Sequence, residues 1–171
     1  MAKYQDLIAE ENSLLALTGT AWTFGDRITQ EQLLSAQHLD LPAEQAQRYL
    51  FSAIEPRFST CVSHGDFIVA GLDFACDATH HVIPKALCTL GVAAVIARSF
   101  GAFFQRAALN AGLPALAVEE TAAVKIGDRL RVDVEAHIVA NLSSGDRYVI
   151  RNIDQAALQQ LRAGNRTIPR R

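Results

Sequence analysis

The chain has 171 residues, half of them hydrophobic and 20% charged, with a formal net charge of -2. That length suits one domain with a sizeable core, and the charge leaves no basic excess to hold phosphates along a nucleic acid. No apolar run escapes Gly, Pro or charge for the roughly 20 residues that cross a bilayer, and residues 1–13 lack a basic head before an apolar core, so a soluble, cytoplasmic protein without membrane contact is expected.

In chain order, residues 4–12 read as a short amphipathic helix inside an N-terminal extension, 1–14. LLALTGTAWTFGD (14–26) alternates apolar and small residues up to Gly25-Asp26, as a strand does. TQEQLLSAQHL (29–39) has helical spacing, with Thr29 as N-cap and Gln32 at the capping-box position. Past Pro42, AEQAQRYLFSAI (43–54) is helical again. DFIVAGLDFA (66–75) is a nearly continuous apolar run that fits a buried strand. PKALCTL (84–90) makes a helix stopped by Gly91, VAAVIARSF (92–100) a strand, GAFFQRAALNAG (101–112) a helix closed by Gly112 and LPALAV (113–118) another strand. This alternation produces parallel strands. From Lys125 onward, short strands joined by Gly-Asp and Ser-Gly turns form a meander. DQAALQQLRAG (154–164) ends the pattern as a helix capped by Asp154, with Gly164 after its end. The fold class is α/β, with a mixed, partly closed sheet.

Cys61, Cys76 and Cys88 form no C-x-x-C pair and leave an odd count, against a disulfide framework or a self-contained zinc or iron-sulfur site. Cys88, among Ala86, Leu87 and Leu90, reads as a buried hydrophobe. Between the strand at 66–75 and the helix at Pro84 lies a polar loop, ACDATHH (75–81). Free backbone N–H groups at the helix start and the helix dipole favour negative charge there, and ligands of α/β sheets lie beyond the carboxyl ends of strands. A carboxylate or a phosphate fits equally.

The run GDFIVAGLDFACDATHHVIPKALCTLGVAAVIARSFGAFFQRAALNAGLPAL (65–116) resembles the core of the small subunit of 3-isopropylmalate dehydratase, which is similar to the swivelling domain of aconitase. GTAWTFGDRITQEQLLSAQHL (19–39) looks like the opening of that family, around W-x-F-G-D, and IVANLSSGDRYVI (138–150) like its late hairpin. Only about the first 15 residues fall outside. The resemblance implies a swivelling-type domain over 15–171 with three layers, β/β/α. It also implies one subunit of a hydro-lyase of the kind used in leucine biosynthesis. A large partner subunit would carry a four-iron four-sulfur cluster as Lewis acid, with no cofactor in this chain and a hydroxy di- or tricarboxylic acid as substrate.

The likeness breaks down in the loop. Where the family has G-C-G-S-S-R-E-H, this chain has Ala75, Cys76, Asp77, Ala78, Thr79, His80, His81 and Val82. The serine that serves the superfamily as base falls on Ala78, which cannot relay a proton; the next serine falls on Thr79, which keeps a hydroxyl. The arginine that clamps a substrate carboxylate falls on His80, which cannot reproduce a guanidinium fork. In the opening motif, acidic and threonine positions are blurred into Thr29, Gln30, Glu31 and Gln32, and the usual proline is Ser35. Thr79 and His80 are therefore the candidate catalytic groups, since histidine's ordinary pKa suits proton transfer near neutrality. Cys76, Asp77, His81, Arg98, Ser99 and Arg106 are candidate substrate contacts. Asp77 either orients a histidine or caps the loop, and Thr79 is alternatively a helix cap. Adjacent side chains diverge, so His80 and His81 cannot easily share one metal. The favoured reading is a diverged small subunit, inactive alone. Its alternatives are a catalytically degenerate homologue with a regulatory or structural role and a stand-alone binder of a small anion.

Overall fold

The computed structural model describes residues 16–151, 153 and 155–164; the helix expected at 4–12 and the cap expected at Asp154 lie outside them. Seven strands form one sheet in the order β4-β3-β2-β1-β5-β6-β7. They are β1 (Ala16–Thr23), β2 (Phe67–Val69), β3 (Ala94–Ala97), β4 (Ala115–Ala117), β5 (Arg129–Asp133), β6 (Ile138–Asn141) and β7 (Arg147–Val149). β1 is the pivot, pairing parallel with β2 and antiparallel with β5. On one side β2, β3 and β4 continue parallel; on the other β5, β6 and β7 run as an antiparallel meander. The two outer strands meet where Val118 bridges Ile150 and the Arg151 N–H donates to the Ala117 carbonyl at 2.8 Å. The sheet is mixed and partly closed, as the sequence pattern indicates.

Successive strand residues face opposite ways, and here both faces are buried. Phe67, Val69, Ala94, Ile96 and Leu116 point into the curl of the sheet, where they meet Leu130, Val132 and Val139. Ile68, Ala70, Val95 and Ala97 point outward against Leu33, Phe51, Phe58, Ile83, Leu87 and Phe104 from the helical layer. Two cores separate three layers. The continuous apolar runs of the parallel strands follow from this double burial.

The helical layer contains α1 (Gln30–Leu33), α2 (Ala43–Ala46), α3 (Phe58–Cys61), α4 (Val82–Leu90) and α5 (Ala102–Ala111); α6 (Gln155–Gly164) follows the meander and takes in Gly164. None of the described helices is long and apolar enough to cross a membrane. α4 begins at Val82, so Pro84 occupies the first turn, where no donor is lost. Gly91, at φ 97°, ends it in the left-handed conformation that glycine adopts without strain.

Two helices are shorter than their periodicity predicts. Thr29 and Gln32 do form the capping box, but Leu34 is already extended. The Leu33 carbonyl accepts the Phe51 N–H at 2.9 Å in place of a donor from a further turn. Glu31 takes the Ser35 hydroxyl and the Ala36 N–H. In the second, α2 passes into a 3-10 turn at Gln47–Tyr49 and stops. Leu50 has already left the helical region and Phe51 adopts φ 57°, and this turn carries both fully buried side chains into the core. The expected strand at 66–75 likewise keeps three strand residues, with Phe74 returning as an isolated bridge to Phe100 between Asp73 and Ala75, which turn the chain at positive φ.

Candidate functional site

The polar loop leaves β2 at the centre of the sheet and is first fixed through its backbone. The Leu72 N–H donates to Asp26 Oδ1 at 2.7 Å, and the Leu72 carbonyl accepts the Arg27 N–H. Phe74 donates its N–H to the Ser99 carbonyl and accepts from the Gly101 N–H at 2.9 Å, while the Ala75 N–H reaches the Ile28 carbonyl. The Phe74 ring is fully buried, edge-on to Phe104 at 5.2 Å. Gly101 is required by this crossing: a Cβ there would run into the Ala75 carbonyl and the Cys76 Cα. Ser99, a predicted substrate contact, spends its hydroxyl here, accepting the Asp73 N–H at 2.8 Å and donating to the Asp73 carboxylate.

From Asp77 the loop is held by side chains instead. Asp77 Oδ1 accepts the Gln30 N–H at 2.8 Å, so it caps the start of α1, 47 residues earlier in the chain, and makes no hydrogen bond to a histidine among the described residues. Gln30 answers through its own side chain: Oε1 accepts the Thr79 N–H at 2.8 Å and lies 3.4 Å from the Thr79 hydroxyl and 3.0 Å from His80 Nδ1. Thr79 Oγ1 is 3.1 Å from the same ring nitrogen. Thr79 is thus not the cap of α4. His81 stands at that position, without a side-chain cap bond. Its ring lies against Phe103 of α5, 4.8 Å between centroids, on the opposite course from His80. Ala78, the residue at the family's base position, is 3% exposed and packs in the outer core.

The other predicted residues lie apart. Arg98, exposed just beyond β3, donates through Nε to the Glu119 carbonyl at 2.8 Å. It lines a cleft of about 330 Å³ with Phe24, Asp26, Gly71 and Thr121, at the carboxyl ends of β1 and β2. His80 and Thr79 do not line this cleft. Arg106 is exposed on α5, one turn beyond Phe103 and on the same helix face. Cys76 is exposed at the join of the two loop halves; desolvation of its sulfur, and then the carboxylates of Asp73 and Asp77, push the thiol above its ordinary pKa. Among the described residues no three of His, Cys, Asp or Glu converge as metal ligands, and the three cysteines sit on α3, the loop and α4. They do not fit an iron-sulfur cluster.

Gln30 and Asp26, whose side chains hold the loop, are positions that sequence reasoning passed over. Gln30 was visible as a departure in the opening motif, but nothing local to it shows a contact 50 residues away.

No protein-family model matches the chain. It is 37% identical to 3-isopropylmalate dehydratase small subunit 1 of Archaeoglobus fulgidus over 133 residues, 77% of this chain and 83% of that protein. It is 35% identical to the 3-isopropylmalate dehydratase small subunit of Wolinella succinogenes over 147 residues, 85% of this chain and 88% of that one. A crystal structure of 3-isopropylmalate dehydratase from Methanocaldococcus jannaschii superposes with a TM-score of 0.81 at 26% identity, covering 87% of this chain and 89% of the other. The chain belongs to the 3-isopropylmalate dehydratase small-subunit family.

Proposed function

We propose that this member of the family is the swivelling small subunit of an aconitase-type hydro-lyase, acting in the cytoplasm on a hydroxy di- or tricarboxylic acid. The observation that carries the reading is the likeness to named small subunits along four-fifths or more of their length. We take residues 15–171 as one swivelling-type domain behind the 1–14 extension. A small subunit implies a larger partner, and the four-iron four-sulfur cluster of the reaction is assigned to that partner.

This chain's own contribution is proton transfer and substrate contact. Dehydration takes a proton from one carbon and hydroxide from its neighbour, leaving a double bond and water. A base is needed for the proton, and Ala78 has neither the atom nor the exposure for it. His80 supplies one: its Nε2 makes no hydrogen bond among the described residues, while Nδ1 is held by Gln30 and Thr79. The Thr79 hydroxyl stands beside it, and Arg98, in the cleft at the carboxyl ends of β1 and β2, offers a guanidinium for a carboxylate. A base so placed contributes about 10²-fold or more to the rate.

The test is co-expression with large subunits that carry three cluster cysteines, followed by anaerobic size-exclusion chromatography and a dehydration assay. Co-elution with turnover is expected, and His80→Gln should lower kcat about 10²-fold while His81→Gln changes it little. Separate elution from every such partner would sink the complex and leave a stand-alone anion binder. Equal, small effects of the two substitutions would leave a catalytically degenerate homologue.

A further inference from the structure

The side chain of Gln30 meets three groups of the loop at one atom, and that convergence decides where the His80 proton sits. A backbone N–H can only donate, so the Gln30 atom 2.8 Å from the Thr79 N–H is the carbonyl oxygen and not the amide nitrogen. That oxygen carries no hydrogen. His80 Nδ1, 3.0 Å away, must therefore be the donor, because a bare ring nitrogen would set lone pair against lone pair. The Thr79 hydroxyl, 3.4 Å from the same oxygen and 3.1 Å from Nδ1, completes the arrangement by donating to Gln30 and turning its own lone pairs to the ring. In turn, the Gln30 backbone is held by Asp77, which accepts its N–H at 2.8 Å.

We propose that Gln30 is a positioning residue that fixes His80 in its Nδ1–H tautomer, so that Nε2 is the basic nitrogen presented to substrate. The inference rests on the reading of His80 as the base, and it specifies which ring atom does the work. A ring nitrogen hydrogen-bonded to a fixed partner sets the tautomer of the whole imidazole. The acceptor comes from α1 and the base from the loop before α4, so the two must be in register for the proton to be on the right side.

The experiment uses the full chain with ¹⁵N-labelled histidine, in which two-bond proton–nitrogen correlations separate a pyrrole-like from a pyridine-like nitrogen; His80→Gln identifies the His80 signals. At a pH where the ring is neutral, Nε2 should be pyridine-like. Gln30→Met keeps length and removes the acceptor, and should move the proton toward Nε2. Gln30→Glu keeps an oxygen for both Thr79 and His80 and should retain the wild-type signature. In the reconstituted complex, Gln30→Met should lower kcat by about tenfold to a hundredfold with KM little changed, and Gln30→Glu should recover most of it. A protonated Nε2 in the wild type, or an unchanged tautomer in Gln30→Met, overturns the inference. A shifted tautomer with unchanged kcat leaves Gln30 in control of the ring and removes His80 as the base, which fails the proposed function instead.

Discussion

The two halves of the loop are held by different forces. Residues 71–76 are fixed mainly by backbone hydrogen bonds to Gly25, Arg27, Ile28, Ser99 and Gly101 and by one buried ring, Phe74, with the Asp26 carboxylate and the Ser99 hydroxyl as their two side-chain anchors. Residues 77–81 are fixed by side chains: the Asp77 carboxylate, the Gln30 amide and the Thr79 and His80 polar groups. Backbone bonding is largely indifferent to which side chain each residue carries, so the path of the first half depends on few side-chain identities. Side-chain bonding depends on identity, so the second half changes only as a set. Most of the chain's departures from the family's G-C-G-S-S-R-E-H fall here, with Ala75 the one in the first half, and Gln30 departs with them across the fold.

The comparison can be broken most severely at Phe74. Truncation to Ala removes a fully buried ring among Phe100 and Phe104 and should cost about 3–5 kcal/mol, read as a lower denaturation midpoint of the chain in urea. If the loss is under about 1 kcal/mol, the first half is not the anchor. Asp77→Ala should cost only about 1 kcal/mol, the usual price of a helix cap, since it frees a single donor of α1. It should nevertheless loosen Gln30, so His80 signals should broaden while those of Phe74 stay sharp. Smallest is the effect at the join. Because the Cys76 pKa is raised in the fold, less thiolate exists at neutral pH than in the unfolded chain. Alkylation should be slower in the native protein at pH 7, should gain speed at a higher pH than in the unfolded chain, and should quicken in Asp73→Asn.

Local chemistry made much of the fold legible. The Thr29 capping box, the glycine stops at Gly91 and Gly112 and the parallel alternation from 66 to 118 all stand where short-range patterns put them. Patterns misled where tertiary contacts override them: the Leu33 carbonyl turns to Phe51, and Phe51 takes a positive φ on its way into the core, so two helical periodicities become short helices. The loop composition marked Thr79 and His80 for attention. Their arrangement could not be read from it, since the partner that orders them is 49 and 50 residues away and has no motif of its own. Asp77 shows the same limit: the sequence suggests a cap on its own loop, whereas its carboxylate accepts from the first turn of α1.

The seam between β4 and β7 has a consequence for the protein in company. An open sheet offers a row of unpaired N–H and C=O groups along each edge strand, which another chain can extend. Here the two edges face one another through Val118 and Ile150, and the Arg151 N–H is taken by Ala117. β4 and β7 are three residues each, and the Arg151–Glu119 ion pair sets charge across their join. Val149 remains 68% exposed on β7, an apolar side chain on an edge strand. The curl of the sheet thereby brings the ends of its two edges together, so that less open edge is left for another copy of the chain to extend.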